Sequence, residues 1–284
     1  MTATQVIDSL NVDVAKEHAA IIQYVLHSTQ MRGSGAAASV KKTAREEMWH
    51  LEWLIQAIEQ RGGEPVLTRA DVFTFDAILE SMRADVAAED GALEHYEVTL
   101  STIGDTDPAL TLLIERIMDD ERYHKASFER LARRAETEGE APFAASPVIG
   151  PGDVAGAGAV PVSEYQGALQ YLWSRRGCGD CDDAETYFDL AVEEMRHLSM
   201  LADCFGGLGR PRVPPEVRDR IEVVGDRSSA LDAVTAYEET ARLAIGAAEG
   251  SVMDAELATE LHRIAAQHGY HRVLLEEVRE RSAG

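Results

Sequence analysis

The sequence is short of several things, and each shortage excludes a class of protein. Three cysteines in 284 residues, Cys178, Cys181 and Cys204, make no disulfide framework, so a reducing cytoplasm is the expected setting. So few thiols also argue against zinc–thiolate and iron–sulfur ligation. No run of about 18 apolar residues is present to span a bilayer. Met1 to Leu10 lacks the basic and apolar regions of a secretory signal. Basic residues are scarce as well: 27 Lys and Arg face 50 Asp and Glu, a net charge of -23. Nucleic-acid phosphates and anionic membrane surfaces, which need a basic patch, are therefore not expected as partners. Such a charge suits attraction of cations, although a solvated acidic surface is its commoner meaning. Apolar residues make up 45%, enough for a sizeable core, and the length fits two domains.

What the chain does have is one short pattern that recurs. Glu47-Met48-Trp49-His50 is followed by Glu121-Arg122-Tyr123-His124 and by Glu194-Met195-Arg196-His197. His268-Gly269-Tyr270-His271 is a fourth copy with Glu exchanged for His. Residues three apart share a helix face, with Cβ atoms roughly 5–6 Å apart. A carboxylate and an imidazole so spaced can reach one metal ion together. One such pair is a weak signal; three copies and a variant at equal depth in long helical segments are a strong one.

Helical periodicity predicts four helices in the first half: Gln5 to Thr29, Ala37 to Arg61, Thr74 to Ser101, and from Asp107-Pro108 to Glu136. Gly33 to Gly35, Gly62-Gly63 with Pro65, and Gly104-Asp105 punctuate them. Four such helices with short connections form an up-and-down bundle or its relative with one crossover. Gly, Pro, Ala and Ser then dominate 142–162, which reads as a linker without helix. The expected division is a bundle over 1–141, the linker over 142–162 and a second bundle over 163–284, in an all-α chain.

After the linker the sequence starts again. Glu17 to Tyr24 is answered by Glu164 to Tyr171, an offset of 147 that also carries Glu47 to Glu194 and His50 to His197. The same offset carries Glu121 and His124 to His268 and His271. The stop at Arg61 to Pro65 is echoed by Gly206 to Pro211. The expectation is two tandem four-helix bundles related by duplication, which in one chain would reproduce the twofold contact of a homodimer. A further homo-oligomer is possible.

A four-helix carboxylate site takes one Glu from each of two helices and a Glu-x-x-His from each of the others. In the first bundle Glu47/His50 and Glu121/His124 fill the paired positions, Glu17 a single one, and the third helix offers Glu89, Glu94 and Glu97. Glu89 is preferred, with Glu94 the alternative. Glu47 and Glu121 would bridge two metals, while Glu17 with His50 and Glu89 with His124 cap one each. Carboxylates with imidazoles suit iron, with manganese possible. Two redox metals side by side can share the electrons that reduce dioxygen or peroxide.

Glu17 through Tyr24, Glu47 through His50, Asp85 through Glu89 and Asp120 through His124 resemble the ferritin-like superfamily, bacterioferritins most of all. The resemblance covers the whole first bundle and, more loosely, the second. It implies a ferritin-like fold and a di-iron site, but not one reaction, because the superfamily spans ferroxidases, peroxide-reducing rubrerythrins and di-iron oxygenases. Glu17 and Glu47 stand about one helical turn closer in sequence than bacterioferritins lead one to expect. The duplication is foreign to ordinary ferritins, and no rubredoxin-like pair of Cys-x-x-Cys motifs is present. The leading functional expectation is ferroxidase activity with Glu47 and Glu121 at its centre. Alternatives are a di-iron oxygenase acting on a small organic molecule, which needs an apolar pocket beside the metals, and a non-enzymatic metal-binding or structural protein.

The second bundle offers Glu164, Glu194, His197, Glu238, His268 and His271, with Glu239 an alternative to Glu238. Since an imidazole normally gives one lone pair to one metal, His268 predicts a modified site, holding one metal, an altered pair or none. Met48 and Met195 each follow a site Glu. The resemblance implies haem ligation there, whereas residue type favours packing, which is the preferred reading. Cys178 and Cys181 are spaced for a redox dithiol or are incidental. Tyr24 and Tyr171 are expected near the sites, Trp49, Trp53 and Trp173 in core or interface. Gln23 and Gln170 recur without an evident role.

Overall fold

The computed structural model describes residues 2–143, 151–178, 181–205, 221–222 and 225–283. The chain divides into two compact units, Met1–Ala145 and Ser146–Gly284. Among the described residues all regular structure is helical.

In the first unit the helices are α1 (Ala3–Ser28), α2 (Gly35–Gln60), α3 (Ile78–Ile103) and α4 (Pro108–Glu138). Their ends follow local chemistry. Thr2 and Gln5 form a capping box on α1. The Ser34 hydroxyl accepts from the Ala37 N–H at 3.1 Å to cap α2. Asp107 accepts from the Leu110 N–H at 3.0 Å, with Pro108 opening α4. At Gly62 the backbone turns with φ 73°, a left-handed value that favours glycine, and ends α2.

α1 lies beside α2 and α3, and α4 beside α3 and α2, so α2 and α3 sit on a diagonal. Residues 61–77 therefore cross the bundle, and the topology is the one with a single long crossover. Hydrogen bonds tie this segment to α1. Asn11 Oδ1 accepts from the Val66 N–H at 2.8 Å, and the Ala70 N–H donates to the Ala15 carbonyl at 2.8 Å. Gln23 makes the third tie: its Oε1 accepts from the Phe73 N–H at 3.0 Å while its Nε2 donates to Asp85 on α3. Leu10, Val14, Ile22, Leu51, Leu54, Met82, Ile114, Ile117 and Phe128 fill the interior. Each buried side chain of this size contributes roughly 1.5–3 kcal/mol, which offsets the cost of the charged groups among them.

The second unit contains α5 (Pro151–Ala157), α6 (Val160–Ser174), α7 (Cys181–Phe205), α8 (Arg227–Glu249) and α9 (Ala255–Ala283). α6 lies beside α7 and α8, and α9 beside α8 and α7, in the same arrangement as α1–α4. Gln170 repeats the part of Gln23: its Oε1 accepts from the Glu222 N–H at 2.8 Å and its Nε2 donates to the Glu222 carbonyl at 2.9 Å. The repeated glutamines thus pin the segment between the second and third helices to the first helix.

Helix α5 and the start of α6 correct the expectation that 142–162 is without helix. Pro151 suits a first helical turn, and Asp153 stands in that turn. Asp153 accepts from the Met253 N–H at 2.5 Å, just ahead of α9. Ala157 and Val160 are buried in the core of the unit with Leu201, Ile245, Leu257 and Leu261. Tertiary contacts override a composition that reads as loop. The expected stop at 206–211 lies outside the described residues, as does the side chain of Cys181, so the dithiol reading rests on sequence. Cys178 is half-buried and Cys204 buried.

Candidate metal centre

Each helix of the first unit delivers its acidic or imidazole groups to one level of the core. α1 gives Glu17, α2 gives Glu47 and His50, α3 gives Glu89, and α4 gives Glu121 and His124. All six are at most 2% exposed, while Glu94 and Glu97 face solvent. Glu17, Glu47, His50 and Glu121 form one compact group of potential ligand atoms, and Glu47, Glu89, Glu121 and His124 form another. Glu47 and Glu121 belong to both.

The geometry shows how they are shared. Glu47 Oε2 is 2.7 Å from His50 Nδ1, and its Oε1 is 2.9 Å from His124 Nδ1. Glu121 repeats this, with Oε1 2.9 Å from His50 Nδ1 and Oε2 3.6 Å from His124 Nδ1. Glu17 lies 3.6 Å from the first imidazole and Glu89 3.9 Å from the second. Yet both Glu47 oxygens, Glu121 Oε1 and both Nδ1 atoms make no aligned hydrogen bond although fully buried. Buried polar atoms left so cost about 1–3 kcal/mol each, more when charged. Lone pairs that converge without bonding one another fit a pair of cations between them.

The outer nitrogen of each imidazole meets the acid that precedes the shared Glu of the opposite helix. His50 Nε2 faces Asp120 Oδ2 at 3.4 Å, and His124 Nε2 faces Glu46 Oε2 at 3.2 Å. Arg116 in turn pairs with Asp120 and Lys42 with Glu46. A carboxylate on the far side fixes ring orientation and raises ligand basicity. Two tyrosines complete the shell. Tyr24 donates to Glu89 Oε1 at 2.7 Å, and Tyr96 donates to Glu17. Tyr96, Asp120 and Glu46 were not singled out in the sequence as site residues, although the acidic doublets Glu46-Glu47 and Asp120-Glu121 are a visible signal.

Burial, reinforced by the Glu121 and Glu47 charges, raises Glu17 well above the usual carboxylate range. Burial and Glu121 do the same to Glu89. Burial works against charged imidazoles, but the surrounding carboxylates, Glu47 foremost, outweigh it. They hold His50 well above its ordinary value and push His124 up to about 10.

Beside this centre the unit holds a cavity of about 420 Å³, between α1, α3 and the crossover. Its inner end is formed by Glu17, Tyr24, Glu89 and Glu121, its walls largely by alanine, its outer part by Lys16, Asp71, Phe73 and Phe75.

In the second unit Glu164, Glu194, His197 and His268 form one group, and Glu194, Glu238, His268 and His271 another. Glu238 is fully buried; Glu239 is part-exposed and pairs with Arg242. Here His268 stands across the middle. Its Nδ1 bonds Glu238 Oε2 at 2.6 Å and its Nε2 bonds Glu164 Oε2 at 3.2 Å. His197 is bonded to Glu164 at 3.0 Å and to Gln267 at 2.7 Å, and His271 to Glu238 at 3.2 Å. Tyr171 donates to Glu238 and Tyr237 to Glu194. Burial opposes charge on His268, but Glu164, Glu238 and Glu194 push it up to about 11, and the imidazoles overcome burial to hold Glu164 at about 2. The Nδ1 atoms of all three imidazoles make aligned hydrogen bonds here, which those of His50 and His124 do not, while Glu164 Oε1 and Glu194 Oε1 are left unbonded.

Met48 and Met195 are both buried, as is Trp173; Trp49 is partly exposed beside Trp53.

A ferritin-like domain family matches residues 7–137. The bacterioferritin of Desulfovibrio desulfuricans is 30% identical over 141 residues, 48% of this chain and 79% of that protein. The chain belongs to the ferritin-like superfamily. A crystal structure of Desulfovibrio desulfuricans bacterioferritin, with its diiron site in different catalytic states, is 29% identical. That match covers 51% of this chain and 90% of the other, with a TM-score of 0.47. As a ferritin-like chain this one carries its buried carboxylate and imidazole groups in duplicate, one set per unit. Among the described residues no helix is long and apolar enough to cross a membrane.

Proposed function

We propose that the first unit binds two iron ions and couples oxidation of iron(II) to reduction of dioxygen or peroxide. The observation that carries this reading is that Glu47 and Glu121 each turn separate oxygens to separate imidazoles, with both Glu47 oxygens, Glu121 Oε1 and both Nδ1 atoms unbonded. Glu17 and His50 would cap one ion, Glu89 and His124 the other, and the shared carboxylates would join them. Each iron(II) gives up one electron, and the pair delivers two to one oxidant molecule.

The chain's own groups prepare this. As cations enter, Glu17 and Glu89 give up protons they hold above the usual carboxylate range, and both imidazoles lose theirs. Asp120 and Glu46 keep the rings turned inward. The net charge of -23 raises the local concentration of cations. Manganese would fit the same donors.

The second unit is proposed as a hydrogen-bonded cluster that does not require metal. His268 uses both its nitrogens on Glu238 and Glu164, which leaves Glu194 as the one carboxylate common to both groups where the first unit has two. The test is stopped-flow absorbance on mixing anaerobic, iron(II)-loaded protein with dioxygen or peroxide. Rapid oxidation that Glu47→Ala slows at least 100-fold supports the reading. Iron that binds but oxidises no faster than in buffer overturns it and favours a binding role.

A further inference from the structure

The cavity beside the first unit's carboxylates is not used by that chemistry. Iron(II) is a hydrated cation that needs oxygen ligands along its way, and this wall offers few. Ala84 and Ala88 on α3, a helical turn apart, line it together with Ala19 and Ala20 on α1. Their short side chains leave the space open. At about 420 Å³ the cavity falls within the roughly 300–1,000 Å³ of small-molecule sites, which are mainly apolar with a few convergent polar groups. Phe73 is 58% exposed and Phe75 36%, both on the crossover where they line the cavity. At the inner end the buried Glu121 lines it together with Glu17 and Glu89.

We infer that this cavity binds a small, uncharged, predominantly apolar organic molecule, with its inner end against Glu17, Glu89 and Glu121. An anion is disfavoured by the Glu121 charge at the inner end. Along the alanine and phenylalanine walls a cation finds nothing to replace its hydration, because the acids stand only at the two ends, Asp71 at the outer and Glu17, Glu89 and Glu121 at the inner. Lys16 Nζ, at the outer part, donates to the Gly91 carbonyl at 2.7 Å. A neutral molecule buries apolar area against the alanines and covers the two phenyl rings. The inference deepens the metal-centre reading, because the occupant would lie against that centre; binding itself does not need the metal.

The probe is 1-naphthol, followed by its fluorescence on titration with the full chain, both as purified with iron and after chelation. The expected result is saturable binding of one molecule per chain, with 1-naphthoate at least 10-fold weaker. Ala88→Trp and Ala20→Phe fill the cavity from opposite walls. Each is expected to weaken 1-naphthol at least 10-fold while metal content and helical circular dichroism stay those of the parent, and two walls leave one test if the other variant misfolds. No saturable binding by the parent overturns the inference. So does undiminished binding by a folded wall variant, or equal binding of naphthoate. Failure of the metal-centre reading would look different: 1-naphthol binds, but the protein takes up no iron.

Discussion

Glu47 and Glu121 face one another across the first unit as a matched pair, each turning one oxygen to His50 Nδ1 and the other to His124 Nδ1. Nothing in apolar packing calls for that arrangement. Four partly charged helix faces meet at one level, and the interior accepts them only if something positive lies between.

The rings are aimed from behind. His50 Nε2 faces Asp120, itself paired with Arg116. Asp120→Asn keeps the shape and removes the charge, so iron affinity should fall roughly 10–100-fold. Anaerobic calorimetric titration with iron(II) reads this directly; unchanged affinity would show that the outer carboxylate does not tune the ligand.

In the metal-free protein the raised groups set the pH dependence. His124, at about 10 against an ordinary 6.5, stabilises the fold fully below pH 6.5 and loses that contribution as pH rises through 10. His50, Glu17 and Glu89 are raised too and act in the same direction. Glu47 and Glu121 are lowered, so their contribution changes only in acid, where it is lost. Calorimetry on chelated protein should therefore give a lower Tm at pH 9.5 than at pH 6. A rising Tm over that interval would contradict the assignment. Loading iron at pH 7 should release protons, which an indicator dye in weak buffer detects.

Gln23 bonds both Asp85 and the Phe73 backbone while buried. Gln23→Ala leaves those partners unmet and should cost about 1–3 kcal/mol. Urea unfolding checks this, with the loss expected in the first unit. Gln170→Ala should do the same to the second.

The imidazole of His268 decides the character of the second unit. His268→Glu would remove a cation from among Glu164, Glu194 and Glu238. The metal-free protein should melt at lower temperature, and added iron(II) or manganese(II) should restore it with a higher metal count per chain. A variant that melts like the parent and binds no additional metal would show that the other residues already forbid a site.

How much of this could be read beforehand depends on what each residue answers to. The Glu-x-x-His spacing is local, so the positions of Glu47, His50, Glu121 and His124 on their helices were legible. The repeat made the paired bundles legible as well. Glu89 lay among three acids on one helix, where the sequence favours it with Glu94 as the alternative; the packing of α3 turns Glu89 inward and leaves Glu94 and Glu97 in solvent. Helix α5 was missed because its Gly- and Ala-rich sequence has no helical preference of its own; the buried Ala157 and the Asp153 contact hold it. The glutamine ties and the ring-facing Asp120 join residues far apart in sequence. The cavity is made by what alanines leave empty, which no spacing rule records.

The central claim is that the first unit, and not the second, holds the metals. Anaerobic titration with iron(II), followed by metal analysis per chain, tests it most directly on the parent, Glu47→Gln and Glu194→Gln. The account predicts two tightly held irons in the parent, at most one weakly held in Glu47→Gln, and two still in Glu194→Gln. Four irons in the parent, or two that survive Glu47→Gln and vanish in Glu194→Gln, would contradict it.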